Sequence, residues 1–109
     1  MMHDEPLVPK GAAFLPVPTP GAPRNYAFVL VPGFTLLAFA SAVEPLRIAN
    51  QLSQHPLYHW RVLSDSGLAV ASSSGIPCGV DGGLEPLDKS TWLIVCAGNP
   101  QMAAADPAI

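Results

Sequence analysis

Thr91-Trp-Leu-Ile-Val-Cys96, followed by Ala97-Gly98-Asn99-Pro100, is the stretch whose reading decides the fold. From Trp92 to Cys96 every residue is apolar. An uninterrupted apolar run without polar alternation suits a strand covered on both faces, as in a parallel sheet. Gly98 and Pro100 stop the strand, and Gln101 to Ala105 reads as the start of a helix. Tyr26-Ala-Phe-Val-Leu-Val31 repeats the pattern and ends sharply at Pro32-Gly33.

Between these two strands the sequence predicts a helix over Phe34 to Leu52, with Leu36, Leu37, Ala40, Val43, Leu46 and Ala49 near helical spacing. Thr35 is placed to cap it, because its hydroxyl can accept a bond from the free amides of the first turn. Pro45 lies inside this helix and predicts a kink near Ser41, whose carbonyl loses its donor. Trp60 to Ser64 reads as a second strand and Asp65-Ser66-Gly67 as a turn. Leu68 to Ser73 and Gly75 to Val80 read as a short hairpin lying at one end of the sheet, closed by a second turn at Asp81-Gly82-Gly83. Leu84 to Lys89 is expected to form one helical turn.

The order strand, helix, strand, hairpin, strand, helix start points to an α/β fold with a partial doubly wound, flavodoxin-like parallel sheet. Ligands of such sheets bind at the carboxyl ends of the strands. That places the loops Pro32 to Thr35 and Ala97 to Pro100 on the functional edge, with Gly33, Phe34, Gly98 and Asn99 as candidate ligand-binding residues. The glycines suit close backbone approach. Asn99 offers an amide to a ligand or to its own turn, and Phe34 either walls a pocket or pins the helix.

Residues 1–25 hold six of the thirteen prolines and read as an extended, proline-rich disordered leader. The remainder, 26–109, is small for a doubly wound sheet, which usually needs well over 100 residues to cover both faces. It is therefore expected to be the truncated front part of one domain.

Half of the 109 residues are apolar and 12% are charged, which excludes a disordered chain. The formal charge is −3, and the five basic residues (Lys10, Arg24, Arg47, Arg61, Lys89) are scattered, so no phosphate-binding surface is visible. No signal segment, membrane span, cofactor motif or zinc spacing is read, and a cytoplasmic location is the expectation. Cys78 and Cys96 lack a CxxC partner and read as reduced, buried thiols, with a disulfide between them as the alternative. His55 and His59 flank Pro56, which works against the helix that would align them as a metal pair.

The segment from Phe28-Val-Leu-Val-Pro-Gly-Phe34 through Val43-Glu-Pro-Leu-Arg-Ile-Ala-Asn50 closely resembles the opening of GlxA-type, AraC-family transcriptional regulators. Pro56-Leu-Tyr-His-Trp-Arg-Val-Leu-Ser64, Val80-Asp-Gly-Gly-Leu84 and Leu93-Ile-Val-Cys-Ala-Gly-Asn99 agree in order and spacing. These regulators carry a ThiJ/PfpI-like domain, related to class I glutamine amidotransferases, ahead of a helix-turn-helix domain. The resemblance implies a non-catalytic sensor for a small amine or amino-acid-like metabolite. It further implies a homodimer in the full-length protein and DNA contact only through a missing C-terminal domain. Enzymes of the superfamily place an acid about five residues after the first glycine, where this chain has Ala38, and their cysteine elbow lies beyond Cys96. Glu44, almost two turns further on, reads as a helix-face partner of Arg47. A fragment of a ThiJ/PfpI-type cysteine-dependent hydrolase or glyoxalase-like enzyme is the alternative reading. It requires a nucleophile and a His partner downstream of this chain. A truncated product without independent activity is the third.

Overall fold

The computed structural model describes residues 21–98. The leader up to Pro20, Asn99 and the expected helix at Gln101–Ala105 therefore lie outside the described residues. The described elements are β1 (Arg24–Leu30), α1 (Leu36–Ser53), β2 (Tyr58–Leu63), β3 (Val70–Ala71), β4 (Pro77–Cys78) and β5 (Trp92–Cys96).

β1, β2 and β5 form a three-stranded sheet in the order β2-β1-β5, and both pairings are parallel. Phe28 sits opposite Val62 on one side and Ile94 on the other, and Leu30 sits opposite Cys96. Side chains alternate along a strand, so Phe28, Leu30, Val62, Ile94 and Cys96 share one face. α1 covers that face with Leu36, Phe39, Ala42, Val43 and Leu46. Phe28, Leu30 and Phe34 are fully buried, each contributing about 1.5–3 kcal/mol of burial free energy. The Phe39 ring meets Phe28 and Phe34 edge-on, with centroids 5.6 and 6.0 Å apart. On the opposite face Arg61 pairs with Glu85 at 2.8 Å, while Leu93 and Val95 stay more than half exposed.

β1 begins at Arg24, two residues before the apolar run, because Arg24 and Asn25 pair with Tyr58 and His59. β2 begins correspondingly earlier, at Tyr58. α1 runs through Pro45 to Ser53 and closes on Gln54 in the left-handed conformation (φ 57°). Asn50 fixes the return to the sheet: its Nδ2 donates to the Tyr58 carbonyl (2.9 Å) and its Oδ1 accepts from the Tyr58 amide (3.0 Å). Past the hairpin, Asp81 clamps the free edge of β2. Its amide donates to the Val62 carbonyl (2.7 Å) and its Oδ2 accepts from the Val62 amide (2.8 Å).

Two local expectations fail. Thr35 occupies the N-cap position in extended conformation, yet its hydroxyl makes no capping bond. Leu84 to Asp88 is not helical. Pro86 has no amide to donate, and the Arg61–Glu85 pair ties the segment to the sheet instead.

Candidate functional site

The carboxyl ends of β1 and β5 meet at one rim. Leaving β1, the Val31 amide donates to the Cys96 carbonyl (3.0 Å) and the Thr35 amide donates to the Ala97 carbonyl (3.1 Å). Between them the chain turns at Gly33, whose φ of 81° is the left-handed region that favours glycine. Phe34 bridges antiparallel to Gly98. The approach is so close that a Cβ on Gly98 would overlap the Gly33 carbonyl oxygen and come within 2.8 Å of the Thr35 amide nitrogen.

β3 and β4 pair antiparallel, and the hairpin they form docks on this same loop. The Gly33 amide donates to the Ala71 carbonyl (2.9 Å), the Ser73 amide donates to the Phe34 carbonyl (2.8 Å), and Phe34 also bridges parallel to Ser72. Ser72 is fully buried and holds the hairpin turn, its Oγ accepting from the Ile76 amide (3.2 Å) and sharing a bond with Ser74 Oγ (2.9 Å). Sequence reasoning put the hairpin at one end of the sheet but did not bring Ala71–Ser73 onto Phe34. The bridging is backbone to backbone and leaves no side-chain signature.

Gly33, Phe34 and Gly98 thus come together as expected from the two loops, while Asn99 lies outside the described residues. Their parts differ from one another. The Phe34 ring is wholly buried against Phe39 and pins α1 rather than facing solvent. Gly33, Phe34 and Thr35 have all spent their amides on Ala71, Val31 and Ala97. The first turn of α1 presents further donors at this edge. The first intrahelical bond runs from the Phe39 amide to the Thr35 carbonyl (3.2 Å). The amides of Leu36, Leu37 and Ala38 precede it, with no side-chain cap from Thr35 and no acidic residue in the first turn. Such an end carries partial positive charge and suits an anion. Thr35, itself exposed, stands beside it.

Cys96 is not built for nucleophilic chemistry, and Cys78 is half-buried rather than buried. Both cysteines are free. Cys96 is only 6% exposed, and burial pushes its thiol above the ordinary value, the reverse of what an active thiolate needs. Ala38 is exposed on the first turn of α1, where a methyl can neither hold nor pass a proton. Glu44 pairs with Arg47 on the outer surface of the same helix. Among the described residues no three His, Cys, Asp or Glu side chains converge to hold a metal ion, and no helix is long and apolar enough to cross a membrane. A depression of about 300 Å³ lined by Gly21, Ala22, Arg24, Leu57 and Tyr58 lies at the other, amino end of the strands.

With this geometry, known proteins are informative. The chain is 45% identical over 86 residues to the HTH-type transcriptional regulator CdhR of Pseudomonas aeruginosa, covering 79% of this chain and 25% of that one. It is 45% identical over 84 residues to the HTH-type transcriptional regulator GlxA of Rhizobium meliloti, covering 76% of this chain and 26% of that one. The crystal structure of an AraC family transcriptional regulator from Pseudomonas putida superposes with a TM-score of 0.66 at 27% identity, covering 79% of this chain and 53% of that one. The relatives are transcriptional regulators. The chain spans about a quarter of the length of these two curated relatives. No protein-family model matches it.

Proposed function

We propose that this chain is part of the non-catalytic, small-molecule-sensing domain of an intracellular transcriptional regulator, of ThiJ/PfpI-like type. The observation that carries the reading is the uncapped start of α1 at the rim where β1 and β5 meet, in a chain whose relatives are regulators. Strand order β2-β1-β5 makes this the point where connections diverge to either side of β1, the usual ligand position in open α/β sheets. An amino-acid-like metabolite would set its carboxylate on the amides of Leu36, Leu37 and Ala38. Gly33, Phe34 and Gly98 shape the floor, and Asn99 follows directly on it. Ala38 and the buried, protonated Cys96 support binding without turnover.

In this reading the DNA contacts come from another region of the full-length regulator, and ligand binding acts on DNA through the geometry of a homodimer. The net charge of −3 and the scattered basic residues support assigning DNA contact elsewhere.

Calorimetric titration with paired compounds, amino acids against the matching amines without a carboxylate, tests the proposal. Binding of the acids, weakened tenfold or more by Leu36→Pro, which removes one of the three free amides, or by Ala38→Asp, is the expected result. The proposal fails if no carboxylate binds, or if purified protein shows turnover that Cys96→Ala abolishes.

A further inference from the structure

Arg47 is held by Glu44 and Arg61 by Glu85, whereas the Arg24 guanidinium has neither an ion-pair nor a hydrogen-bond partner among the described residues. Arg24 opens β1, and its register partner is Tyr58, which opens β2. Residues so paired set their side chains on the same face, about 5 Å apart. Here it is the face that carries Tyr26 and Phe28 further along β1. The half-buried Tyr58 ring meets Tyr26 edge-on, with centroids 5.9 Å apart. Asn50 engages only the backbone of Tyr58, so the phenol hydroxyl has no protein partner among the described residues. Both side chains line the depression of about 300 Å³ at the amino end of the strands, together with Leu57, Ala22 and Gly21. No carboxylate is among these lining residues.

We propose that this depression is a second binding site, for a small organic acid with an apolar body. The guanidinium fork donates two parallel N–H bonds to the carboxylate, and the Tyr58 hydroxyl donates a third. Leu57, Ala22 and the face of the Tyr58 ring receive the apolar body. The volume is at the lower end of small-molecule sites, which suits a single ring or a short alkyl chain. An amine would bring its positive charge against that of Arg24. Inorganic phosphate shares the negative charge but leaves Leu57 and the ring uncovered. Because Arg24 is exposed, added salt screens the contact and weakens binding. β1 runs seven residues from Arg24 to Leu30, so the rim lies roughly 20 Å away. The two sites do not overlap, and this one does not rest on the sensor reading.

Benzoate is the probe, titrated into the full 109-residue chain and followed by ligand-observed NMR, with benzylamine and inorganic phosphate as competitors. Benzoate is expected to bind. Arg24→Gln should weaken it at least about tenfold and Tyr58→Phe roughly threefold. Melting should not change in either variant, since Arg24 is exposed and phenylalanine keeps the ring. Arg24→Lys keeps the charge without the fork and should fall between wild type and Arg24→Gln. Neither competitor should displace benzoate at equal concentration. Absence of benzoate binding overturns the proposal, as does binding that Arg24→Gln leaves intact or that phosphate displaces. Ala38→Asp separates the two sites. Benzoate binding that it abolishes and Arg24→Gln spares belongs to the rim and sinks this proposal. Benzoate binding that depends on Arg24, in a protein that binds no amino acid at the rim, upholds this site while the sensor reading fails.

Discussion

Gly98 lies against Gly33 so closely that no side chain fits between the two loops they belong to. The contact joins the ends of β1 and β5 across a sequence separation of 65 residues, and the Phe34–Gly98 bridge and the Thr35–Ala97 hydrogen bond depend on it. Gly98→Ala forces backbone atoms apart on both sides. Overpacking of this kind costs about 1–3 kcal/mol, so a clearly lowered denaturation midpoint is expected. Gly79→Ala, where a Cβ meets nothing within 4 Å, serves as the control and should change little.

Phe34→Ala removes a wholly buried ring and leaves Phe39 without one of its two edge-on partners. Large-to-small changes of this type cost about 3–5 kcal/mol, a large share of the stability of a small domain. Urea denaturation followed by tryptophan fluorescence should show most of the stability gone. Phe34→Leu should retain more than half of it. Equal loss in both variants would mean that aromatic geometry, not volume, secures α1.

Asn50 holds the α1–β2 connection through two hydrogen bonds to the Tyr58 backbone. Asn50→Ala leaves both Tyr58 groups without these partners at a half-buried site, an expected cost of about 1–3 kcal/mol. Asn50→Asp, ionised at neutral pH, keeps the acceptor and loses the donor, so it should fall between alanine and wild type there. A neutral effect of Asn50→Ala in a denaturation titration would contradict the clamp.

Burial raises the Cys96 thiol above its ordinary value near 9.0. The folded state therefore favours the protonated thiol. Its contribution is fully present below the unfolded value and is lost as pH rises above about 9. Stability measured from pH 7 to 10 should decline more steeply for wild type than for Cys96→Ala. In native protein, thiol reagents should modify the half-buried Cys78 before the buried Cys96.

The apolar runs at Tyr26–Val31 and Trp92–Cys96 made the parallel pair legible, because neither shows polar alternation, although among the described residues β5 is covered on one face only, with Leu93 and Val95 more than half exposed. Their ends were not. Arg24 and Asn25 read as leader, yet Tyr58 and His59 offer them ladder partners, and distant partners cannot be seen in a local window. The glycines at 33 and 98 were readable as sites of close approach, and that is how Gly98 serves against Gly33 and Thr35. Thr35 misled in detail: its position at the helix start was right, but its hydroxyl does not cap. The docking of Ala71–Ser73 onto Phe34 was invisible, since carbonyls and amides are the same at every residue.

Phe34 receives backbone partners from positions 72 and 98 at once. Both contacts close long loops, and such contacts come late, after their entropy has been offset by others. The β1–α1–β2 unit can therefore form first with its upper edge still open. Only when the hairpin and β5 arrive does the edge take its final shape. The rim is thus completed in the last step of folding, and a chain interrupted before Val70 would hold a helix and two strands without the backbone partners that positions 72 and 98 bring to Phe34.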